Sequence, residues 1–449
     1  MSIKMLGRRL GWVIVVALLG ANLMIGARLY SQDAGTSPRD EAYAQMALFT
    51  RVIEQIRDNY VDAGKTSYKD LVYGALQGML QSLDPHSQFL DETMYKDMKD
   101  DTSGQFGGLG IVISLKDNVL TIVAPMEDTP GFRAGLLAGD KIVEIDGVTT
   151  EGYSLHEAVK KLRGAPGTKV ALRILRAKSQ ELKTVEVERA NIEVASVKDT
   201  KVLEDGIGYL RITQFSEPTA DALQKALDEL MEQNIRALVI DLRNNPGGLL
   251  SSAVDVSSKF LERNQVVVST QGREEKDSQV YKARGRKRYL DFPLAILVNG
   301  GSASASEIVA GALQDHRRAV LVGEKTFGKG SVQSVLAMDA GTAIRLTTAK
   351  YYTPSKEVIH ERGIEPDIVV SMPLEDWRDL QMQRINAMSE EDEAEAEGEG
   401  EAEPGVEGDE SSDQPVQDIQ LQRAVDVLKG ILRFAAQVQT GLLTARVER

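Results

Sequence analysis

Apolar strands and amphipathic helices alternate through the second half of the chain, and this alternation restricts the possible folds more than any other feature of the sequence. Ala237–Leu242 and Leu294–Val298 are nearly continuous apolar runs, which is typical of strands covered on both faces. Helical spacing follows each run, from about Leu249 to Leu261 and from about Ser304 to Gln314. The pattern predicts an α/β core of mostly parallel strands with flanking helices, over residues 191–380.

Residues 101–190 have a different character and predict a small β-rich module inserted before that core. Glycines cluster at its start, short β-branched runs follow, and Lys141–Ile145 leads into an Asp-Gly turn. Ser154 and Glu157 form a capping box that begins one short helix. The module is therefore expected to combine several strands with one clear helix.

The first 38 residues predict a membrane-targeting segment. Lys4, Arg8 and Arg9 precede an uncharged stretch at 10–27, which as a helix would span roughly 27 Å, enough for a bilayer core. Positive charge before the stretch keeps that end cytoplasmic and sends the remainder across. A retained anchor and a cleaved signal peptide both fit this pattern. Either version places the rest of the chain on the exported side of the membrane, the periplasm of a bacterial-type cell envelope.

Residues 39–100 predict an amino-terminal helical region. Met46, Phe49, Ile53 and Ile56 recur at helical spacing, and a second such run ends at Asp84-Pro85. A helical region here could be an interface or a cover for the core. Helices at both ends of the chain also make a homo-oligomer possible.

Negative charge is concentrated near the carboxyl terminus. The formal net charge is −14, and the stretch from Glu390 to Asp413 holds 13 acidic residues without one Lys or Arg, so the remainder is near neutral. This composition predicts a disordered acidic linker over 381–415. A terminal helix over 416–449 follows, which either packs on its own core or binds a partner. The acidic balance argues against nucleic-acid binding, and the lack of Cys excludes disulfides and a cysteine nucleophile.

Asp-Leu-Arg-Asn-Asn-Pro-Gly-Gly at 241–248 comes directly after a buried strand. Glycines in a sharp turn leave backbone N–H groups unshielded, and such groups can form an oxyanion hole. A plain strand-to-helix turn has the same composition. The motif alone therefore leaves both alternatives open.

Asn-Gly-Gly-Ser-Ala-Ser-Ala-Ser-Glu at 299–307 also leaves a buried strand and enters a helix. A serine at a helix start gains an oriented hydroxyl and nearby backbone donors, which suits a nucleophile. Ser304 with Glu307 is equally a good capping box. Three alternating serines leave the identity of a nucleophile ambiguous from chemistry alone.

Lys329 stands between two glycines in the segment 323–333, so that it can lie against another backbone. An ordinary role for this lysine is a solvated surface charge. Gly330 occupies the position where a phosphate-binding loop requires Ser or Thr after the Lys, which excludes nucleotide binding. A buried lysine can act as a general base once desolvation lowers its pKa, as in Ser-Lys variants of the catalytic triad. His316 at a helix end is the alternative base.

Taken together, these motifs resemble the carboxy-terminal processing peptidases, also called tail-specific proteases, over about residues 40–372. The resemblance implies a Ser-Lys serine endopeptidase with a PDZ-like domain and without a metal or other cofactor. It implies that Ser304 is the nucleophile, that Lys329 is the general base and that Gln333 supports the lysine amine. It also implies oxyanion donors at the backbone amides of Gly247 and Ala305.

The same resemblance implies that the PDZ-like domain binds the end of a substrate chain by adding it as a strand. The residues expected at the substrate tail are Gly108, Leu109, Gly110, Ile111, Leu162 and Arg163. Of these, the loop at 108–111 would hold the terminal carboxylate through backbone N–H groups. The resemblance further implies that Arg163 couples tail binding to activation.

The expected function is therefore that of an exported serine endopeptidase acting on proteins with apolar carboxyl-terminal tails, with an adaptor or activating partner possible. Two alternatives stay open on the sequence. One is an exported PDZ adaptor with an inactive hydrolase core. The other is a serine hydrolase that uses His316 as its base.

Overall fold

The structure is a computed structural model that describes residues 20–22, 24, 38–116, 119–126, 129–137, 139–176, 181–285, 288–373, 375–377, 379–380, 383 and 416–447. The chain divides into two compact units, Met1–Pro85 and His86–Arg449. The predicted membrane segment and the predicted acidic linker lie almost wholly outside the described residues. Within the described part of the chain, none of the helices is both long enough and apolar enough to cross a membrane.

The first unit contains two described helices, α1 (Pro38–Asn59) and α2 (Tyr68–Gln81). The Ser67 hydroxyl caps α2 by accepting a hydrogen bond from the Asp70 amide at 3.1 Å. Asp84-Pro85 follows α2 closely, as expected from the bias of a residue before proline against helical geometry.

The second unit begins with β1 (Gln88–Leu90) and α3 (Glu92–Ser103) and continues into the β-rich module. A five-stranded path β3-β4-β5-β7-β8 forms the body of the module, β6 pairs with β5, and β2 pairs with β9. The helix α5 begins with the predicted capping box, in which the Ser154 amide donates to Glu157 at 2.8 Å. Strand β3 is at the edge of this sheet. The module comprises β2 (Gln105–Gly108), β3 (Ile111–Lys116), β4 (Val119–Pro125), α4 (Pro130–Arg133), β5 (Lys141–Ile145), β6 (Val148–Thr149), α5 (Leu155–Leu162), β7 (Lys169–Leu175), β8 (Leu182–Glu188) and β9 (Ala190–Glu193).

A six-stranded sheet in the order β10-β11-β12-β15-β16-β19 forms the centre of the remaining chain. Every neighbouring pair is parallel except β10 with β11. All residues of β12 and β15 are buried, which explains their continuous apolar sequences. The elements around this sheet are β10 (Val197–Val202), β11 (Ile207–Ile212), α6 (Thr219–Glu232), β12 (Ala237–Asp241), α7 (Leu250–Ser258), β15 (Leu294–Val298), α8 (Ala305–Asp315), β16 (Val320–Gly323) and β19 (Ile368–Val369).

The two faces of this sheet are covered by different parts of the chain. Alternate side chains such as Leu238 and Ile240 pack with α6, α7 and α8 in one core. The intervening side chains, such as Val239, pack against α9 (Ile419–Val447) through Ala424, Val425 and Leu428. The terminal helix therefore packs on its own core, which is the first of the two alternatives that the sequence left open.

A second sheet, which the sequence did not predict, is antiparallel in every described pair. Its order is β1-β18-β13-β14, and β17 pairs with β18. Its strands are β13 (Val266–Gly272), β14 (Gln279–Lys282), β17 (Ser331–Ala337) and β18 (Ala343–Tyr352), together with β1. Polar and exposed residues interrupt β17 and β18, so these strands lack the apolar runs that identify β12 and β15. The core is thus an α/β sheet combined with this antiparallel sheet.

Candidate active site

The loop between β15 and α8 holds Ser304 in an unusual conformation. Its φ is 55° and its ψ is −111°, a combination that non-glycine residues rarely adopt and that is found mainly at functional sites. Only 7% of Ser304 is exposed. The residue directly precedes Ala305, the first residue of α8, whose opening turn has amides without helical partners. Such a position offers backbone donors and a favourable dipole to a developing negative charge.

The structure separates the three alternating serines by what their hydroxyls bind. Ser302 Oγ donates to the Leu242 carbonyl at 2.8 Å, and Ser306 Oγ donates to the Asn245 carbonyl at 2.9 Å. Both hydroxyls thereby fasten the α8 loop to the loop after β12. The Ser304 hydroxyl instead interacts with the phenol of Tyr351. Burial raises the pKa of that phenol to about 12. The Ser304 hydroxyl, by contrast, makes no hydrogen bond to the loop after β12 among the described residues, and it belongs to the capping box that Ser304 forms with Glu307.

The Glu307 carboxylate connects the serine loop to the lysine loop. Its Oε2 accepts hydrogen bonds from the Ser304 amide at 2.8 Å and from the Lys329 amide at 2.9 Å. Its Oε1 accepts from the Gly328 amide at 2.7 Å and from Thr326 Oγ1 at 2.6 Å. Because one oxygen accepts both amides, the distance between the backbone nitrogens of Ser304 and Lys329 cannot exceed the combined length of those two hydrogen bonds. Burial raises the pKa of Glu307, and its four hydrogen bonds oppose that effect.

Glycines allow the lysine loop to lie against the segment 359–363. A Cβ at Gly330 would stand 2.1 Å from the His360 backbone nitrogen, and Gly328 adopts a φ of 91°. The Gly330 carbonyl accepts a hydrogen bond from the Tyr351 amide at 2.7 Å. The close approach that the glycines predict is therefore present, and it fixes the backbone on both sides of Lys329.

The Lys329 side chain is half-buried, and its surroundings disfavour a positive charge. Burial lowers the pKa of the Lys329 ammonium, the nearby guanidinium of Arg345 lowers it further, and Glu307 acts in the opposite sense. Arg345 is held in place by Gln88 Oε1 at 2.8 Å and by the His86 carbonyl at 3.2 Å. A lysine with a depressed pKa is the kind of amine that can accept a proton near neutral pH.

Among the described residues, no hydrogen bond links the side chains of Ser304, Lys329 and Gln333 to one another. Gln333 Nε2 donates to Ser331 Oγ at 2.9 Å. The β17–β18 pairing shifts its register between Val332 and Gln333. Lysine has a long and flexible stem, so a rotation of its side chain can change the position of Nζ without moving the loop.

The loop after β12 packs directly beneath Ser304. A Cβ at Gly247 would stand 2.6 Å from the Ala303 carbonyl oxygen and 2.8 Å from Ser304 Cβ, so only glycine fits there. The Gly247 amide donates to Asn245 Oδ1 at 2.9 Å. The structure thus places Gly247 beside Ser304 and Ala305, with its N–H engaged by Asn245.

His316 lies at the other end of α8 from Ser304. It caps the carboxyl end of the helix, and its Nε2 donates to the Val266 carbonyl at 2.8 Å. A helix of this length separates the two residues by roughly 18 Å. His316 therefore cannot accept a proton from the Ser304 hydroxyl in this fold.

The six predicted tail-binding residues line a single cavity between the edge strand β3 and the helix α5. Phe106, Ile113 and Val159, which the sequence reasoning missed, complete its lining. The Arg163 guanidinium lies 4.4 Å from the centre of the Phe106 ring and 3.5 Å from Asp101 Oδ1. An apolar cavity beside a free strand edge is the arrangement that receives a peptide by strand addition.

Sequence reasoning missed the parts of the candidate active site that depend on contacts between distant segments. Glu307 was identified only as a helix cap, whereas its carboxylate also binds the loop at 326–329. Tyr351 and Arg345 come from β18, a strand that the sequence did not reveal. No group of three or more His, Cys, Asp or Glu that could hold a metal ion occurs in the described ranges.

Comparison with known families gives two matches. Residues 206–370 match the model of peptidase family S41, and residues 121–176 match a PDZ domain. The first match spans β11 to β19 and includes Ser304 and Lys329. The second covers most of the β-rich module, including α5.

Several curated proteins are similar to this chain over most of its length. A carboxy-terminal-processing protease of Bartonella bacilliformis is 43% identical over 371 residues, which is 82% of this chain and 83% of that protein. A carboxy-terminal processing protease of Bacillus subtilis is 34% identical over 362 residues, 80% of this chain and 76% of that protein. Among solved structures, a photosystem II D1 C-terminal processing protease is 29% identical and covers 72% of this chain and 92% of its own, with a TM-score of 0.44.

Proposed function

The chain belongs to peptidase family S41, as a serine-type carboxy-terminal processing protease with a PDZ domain, and on that premise we propose that Ser304 and Lys329 are its catalytic dyad. The observation that carries the proposal is the Glu307 oxygen that accepts the backbone amides of both residues, at 2.8 and 2.9 Å. One buried carboxylate thereby fixes the nucleophile loop against the loop of the base. The depressed pKa of Lys329 supports its role as the proton acceptor.

In the proposed reaction Lys329 Nζ comes within hydrogen-bond reach of Ser304 Oγ and accepts its proton. The oxygen bonds to the carbonyl carbon of the scissile peptide, and the negative charge develops toward the amides of Ala305 and Gly247. The carbon–nitrogen bond then breaks as Lys329 returns the proton to the leaving amine. Water hydrolyses the resulting ester, again with Lys329 as base. Gln333 is proposed to orient the amine, for which it must leave Ser331.

Gly247 must also change partners for this reaction. Its N–H now donates to Asn245 Oδ1 and becomes an oxyanion donor only once that bond is released. Ala305 needs no such exchange, because it opens α8. The proposed active arrangement therefore requires new positions for the side chains of Lys329, Gln333 and Asn245.

Substrate selection is proposed to reside in the cavity between β3 and α5. Leu109, Ile111 and Leu162 give it an apolar lining, and β3 offers an edge to which an extended chain can be added. The proposed substrates are therefore proteins with apolar carboxyl-terminal tails. Arg163 is proposed to couple binding to activation, since it joins the cavity to Asp101 on α3.

Export is also proposed, on the basic start and the uncharged stretch at 10–27. Cells that express the full chain are stripped of their outer layers, so that the inner membrane stays intact and its outer face is exposed. Adding a protease to this preparation tests which part of the chain lies on the exported side. We expect residues after the stretch to be digested from the exported side. Protection of those residues while the exposed inner membrane is intact, with digestion after lysis, would exclude export.

The proposed function is tested with two purified substrates that differ only in their last residues, one apolar and one acidic. We expect cleavage of the apolar-tailed substrate and labelling of Ser304 by a fluorophosphonate. Binding of the apolar tail with neither turnover nor labelling, under conditions where the protein is folded, would favour the adaptor alternative. Labelling is measured with an apolar tail peptide present, because tail binding is proposed to activate the protease through Arg163.

The pH dependence of kcat/KM should report the ionisation of Lys329. Only the neutral amine accepts a proton, so activity should rise with pH through the pKa of Lys329, which lies below the ordinary value of 10.5. Arg345→Met removes a positive charge that lowers this pKa, so the rise should move to higher pH. Lys350→Met removes an exposed cation from the same strand and should leave the profile in place. An unmoved profile in Arg345→Met would contradict this account of the base.

His316→Ala should retain full peptidase activity, because His316 lies at the opposite end of α8 from the nucleophile. The variant loses the hydrogen bond to Val266, at a cost of about 1 kcal/mol in the free energy of unfolding. Steady-state kinetics and thermal denaturation measure the two effects. A folded but inactive His316→Ala protein would support the alternative in which His316 is the base.

A further inference from the structure

Arg243 is a buried cation whose hydrogen bonds are all made within the protein. Its Nε donates to Asp241 Oδ1 at 2.9 Å, and its Nη2 donates to Asp241 Oδ2 at 2.7 Å and to Asp418 Oδ2 at 2.8 Å. Its Nη1 donates to Asp418 Oδ1 at 2.8 Å and to Gln420 Oε1 at 3.1 Å. These bonds use the five N–H donors of a guanidinium. Three of the five end on residues from the terminal segment of the chain.

Asp418 and Gln420 are themselves fixed by further contacts. Asp418 Oδ1 accepts the Leu421 amide at 3.0 Å and so caps the start of α9. Gln420 Nε2 donates to the Val370 carbonyl, after β19, at 2.8 Å. Ala424 and Leu428 of the same helix are fully buried against the sheet. The two side chains are thus presented to Arg243 by a docked helix and not by a free tail.

The loop that begins at Arg243 contacts the loop that carries Ser304. The Asn244 amide donates to Asn299 Oδ1 at 2.9 Å, and the Asn245 carbonyl accepts the Ala303 amide at 3.0 Å. Gly247, two residues further, packs against Ser304 Cβ. Asn244, Gly301 and Gln420 also line one cavity, so the terminal segment reaches both loops. A displacement of Arg243 therefore acts on the loop that carries the proposed oxyanion donor.

We propose that Asp418 and Gln420 are positioning residues for peptide-bond cleavage, which act through Arg243 to place the Gly247 loop beside Ser304. The inference rests on the proposed function of Ser304 and Lys329. Neither Asp418 nor Gln420 touches the reacting atoms. Their part is to hold the Nη1 and Nη2 groups of the guanidinium while Asp241 holds Nε and Nη2, so that the strand end and the loop after it keep one geometry. The terminal segment is therefore a component of the active site as well as a cover for the sheet.

The test compares Asp418→Asn with Asp426→Asn in the full chain. Asp418→Asn removes a charge that binds Arg243, whereas Asp426→Asn removes an exposed charge from the same helix. We expect Asp418→Asn to lower kcat and the rate of fluorophosphonate labelling of Ser304 by about 10²-fold, as for a misplaced catalytic loop. KM and the affinity of the PDZ-like module for an apolar tail peptide should not change. Asp426→Asn should match the unmodified chain.

Gln420→Ala provides a second variant in case Asp418→Asn does not fold. It removes one hydrogen bond to Arg243 and keeps both carboxylates, and we expect kcat to fall by about 10-fold with KM unchanged. Asp418→Asn that folds and keeps the kcat of the unmodified chain overturns the inference, and so does an unchanged kcat in Gln420→Ala. Failure of the unmodified chain to label at Ser304 overturns the proposed function instead.

Discussion

Ser304→Ala should lower kcat/KM for an apolar-tailed substrate by about 10⁴-fold or more, as removal of an attacking hydroxyl does in other serine peptidases. The loss should be large because the proposed nucleophile and its proposed base act as a unit. Binding of the tail should persist, since the β3–α5 cavity belongs to the β-rich module. Steady-state kinetics and peptide-binding titration measure the two properties.

The other serines of the run provide the matched control. Ser302→Ala and Ser306→Ala each remove a hydrogen bond to a loop carbonyl and should reduce the free energy of unfolding by about 1–3 kcal/mol. Ser304 should nevertheless be labelled by a fluorophosphonate in both variants wherever they are folded. Labelling at position 302 or 306 in the unmodified chain would show that the nucleophile has been misassigned.

Lys329→Arg distinguishes a base from a fixed positive charge. Arginine keeps the charge and much of the length of lysine but does not lose its proton in proteins. The substitution should therefore abolish cleavage almost as completely as Lys329→Ala. Substantial activity in Lys329→Arg would mean that Lys329 supplies charge alone.

Glu307→Gln should produce the second large effect, a fall in kcat of about 10² to 10³-fold. The Glu307 side chain receives four donors, three of them backbone amides at 2.7 to 2.9 Å. Glutamine offers one acceptor oxygen and places an amino group where the other oxygen stood, so donors face donors. The serine loop and the lysine loop then separate, and the dyad loses its alignment.

The same substitution should also destabilise the protein by about 2–4 kcal/mol, because buried amides are left without acceptors. Glu365→Gln is the matched control, since it removes an exposed carboxylate paired with Lys325 and should change the free energy of unfolding by less than about 1 kcal/mol. Chemical denaturation and kinetics on both variants give the comparison. Normal turnover in folded Glu307→Gln would refute the role of this carboxylate in aligning the loops.

The parts of the fold that the sequence predicted are those encoded by local patterns. Lys141–Ile145 and Leu294–Val298 have the bounds that their sequences indicate. The antiparallel sheet was not predicted, because β17 and β18 are stabilised by pairing with each other and carry mixed, partly exposed side chains. Pairing between distant strands leaves little trace in either strand alone.

The same division applies to the candidate site. The glycines around Lys329 indicated a close backbone approach, and the tail-binding residues predicted from the resemblance line one cavity. The choice among the three serines needed the fold, because it depends on carbonyl groups of Leu242 and Asn245 some 60 residues earlier. The hydrogen bonds of Glu307 to the lysine loop likewise join two separate segments, and the sequence of neither segment indicates that they are in contact.

The position of α9 in the fold has a consequence for how the protein is made. During synthesis α9 emerges after all the strands whose faces it covers. Until then the apolar surface around Tyr209, Val239 and Leu297 has no cover from α9, and Arg243 lacks Asp418. A chain cut short during translation would therefore be recognisable to quality-control machinery by that surface. Such a chain would also lack the contacts from Asp418 that hold Arg243, so we expect its peptidase activity to be low.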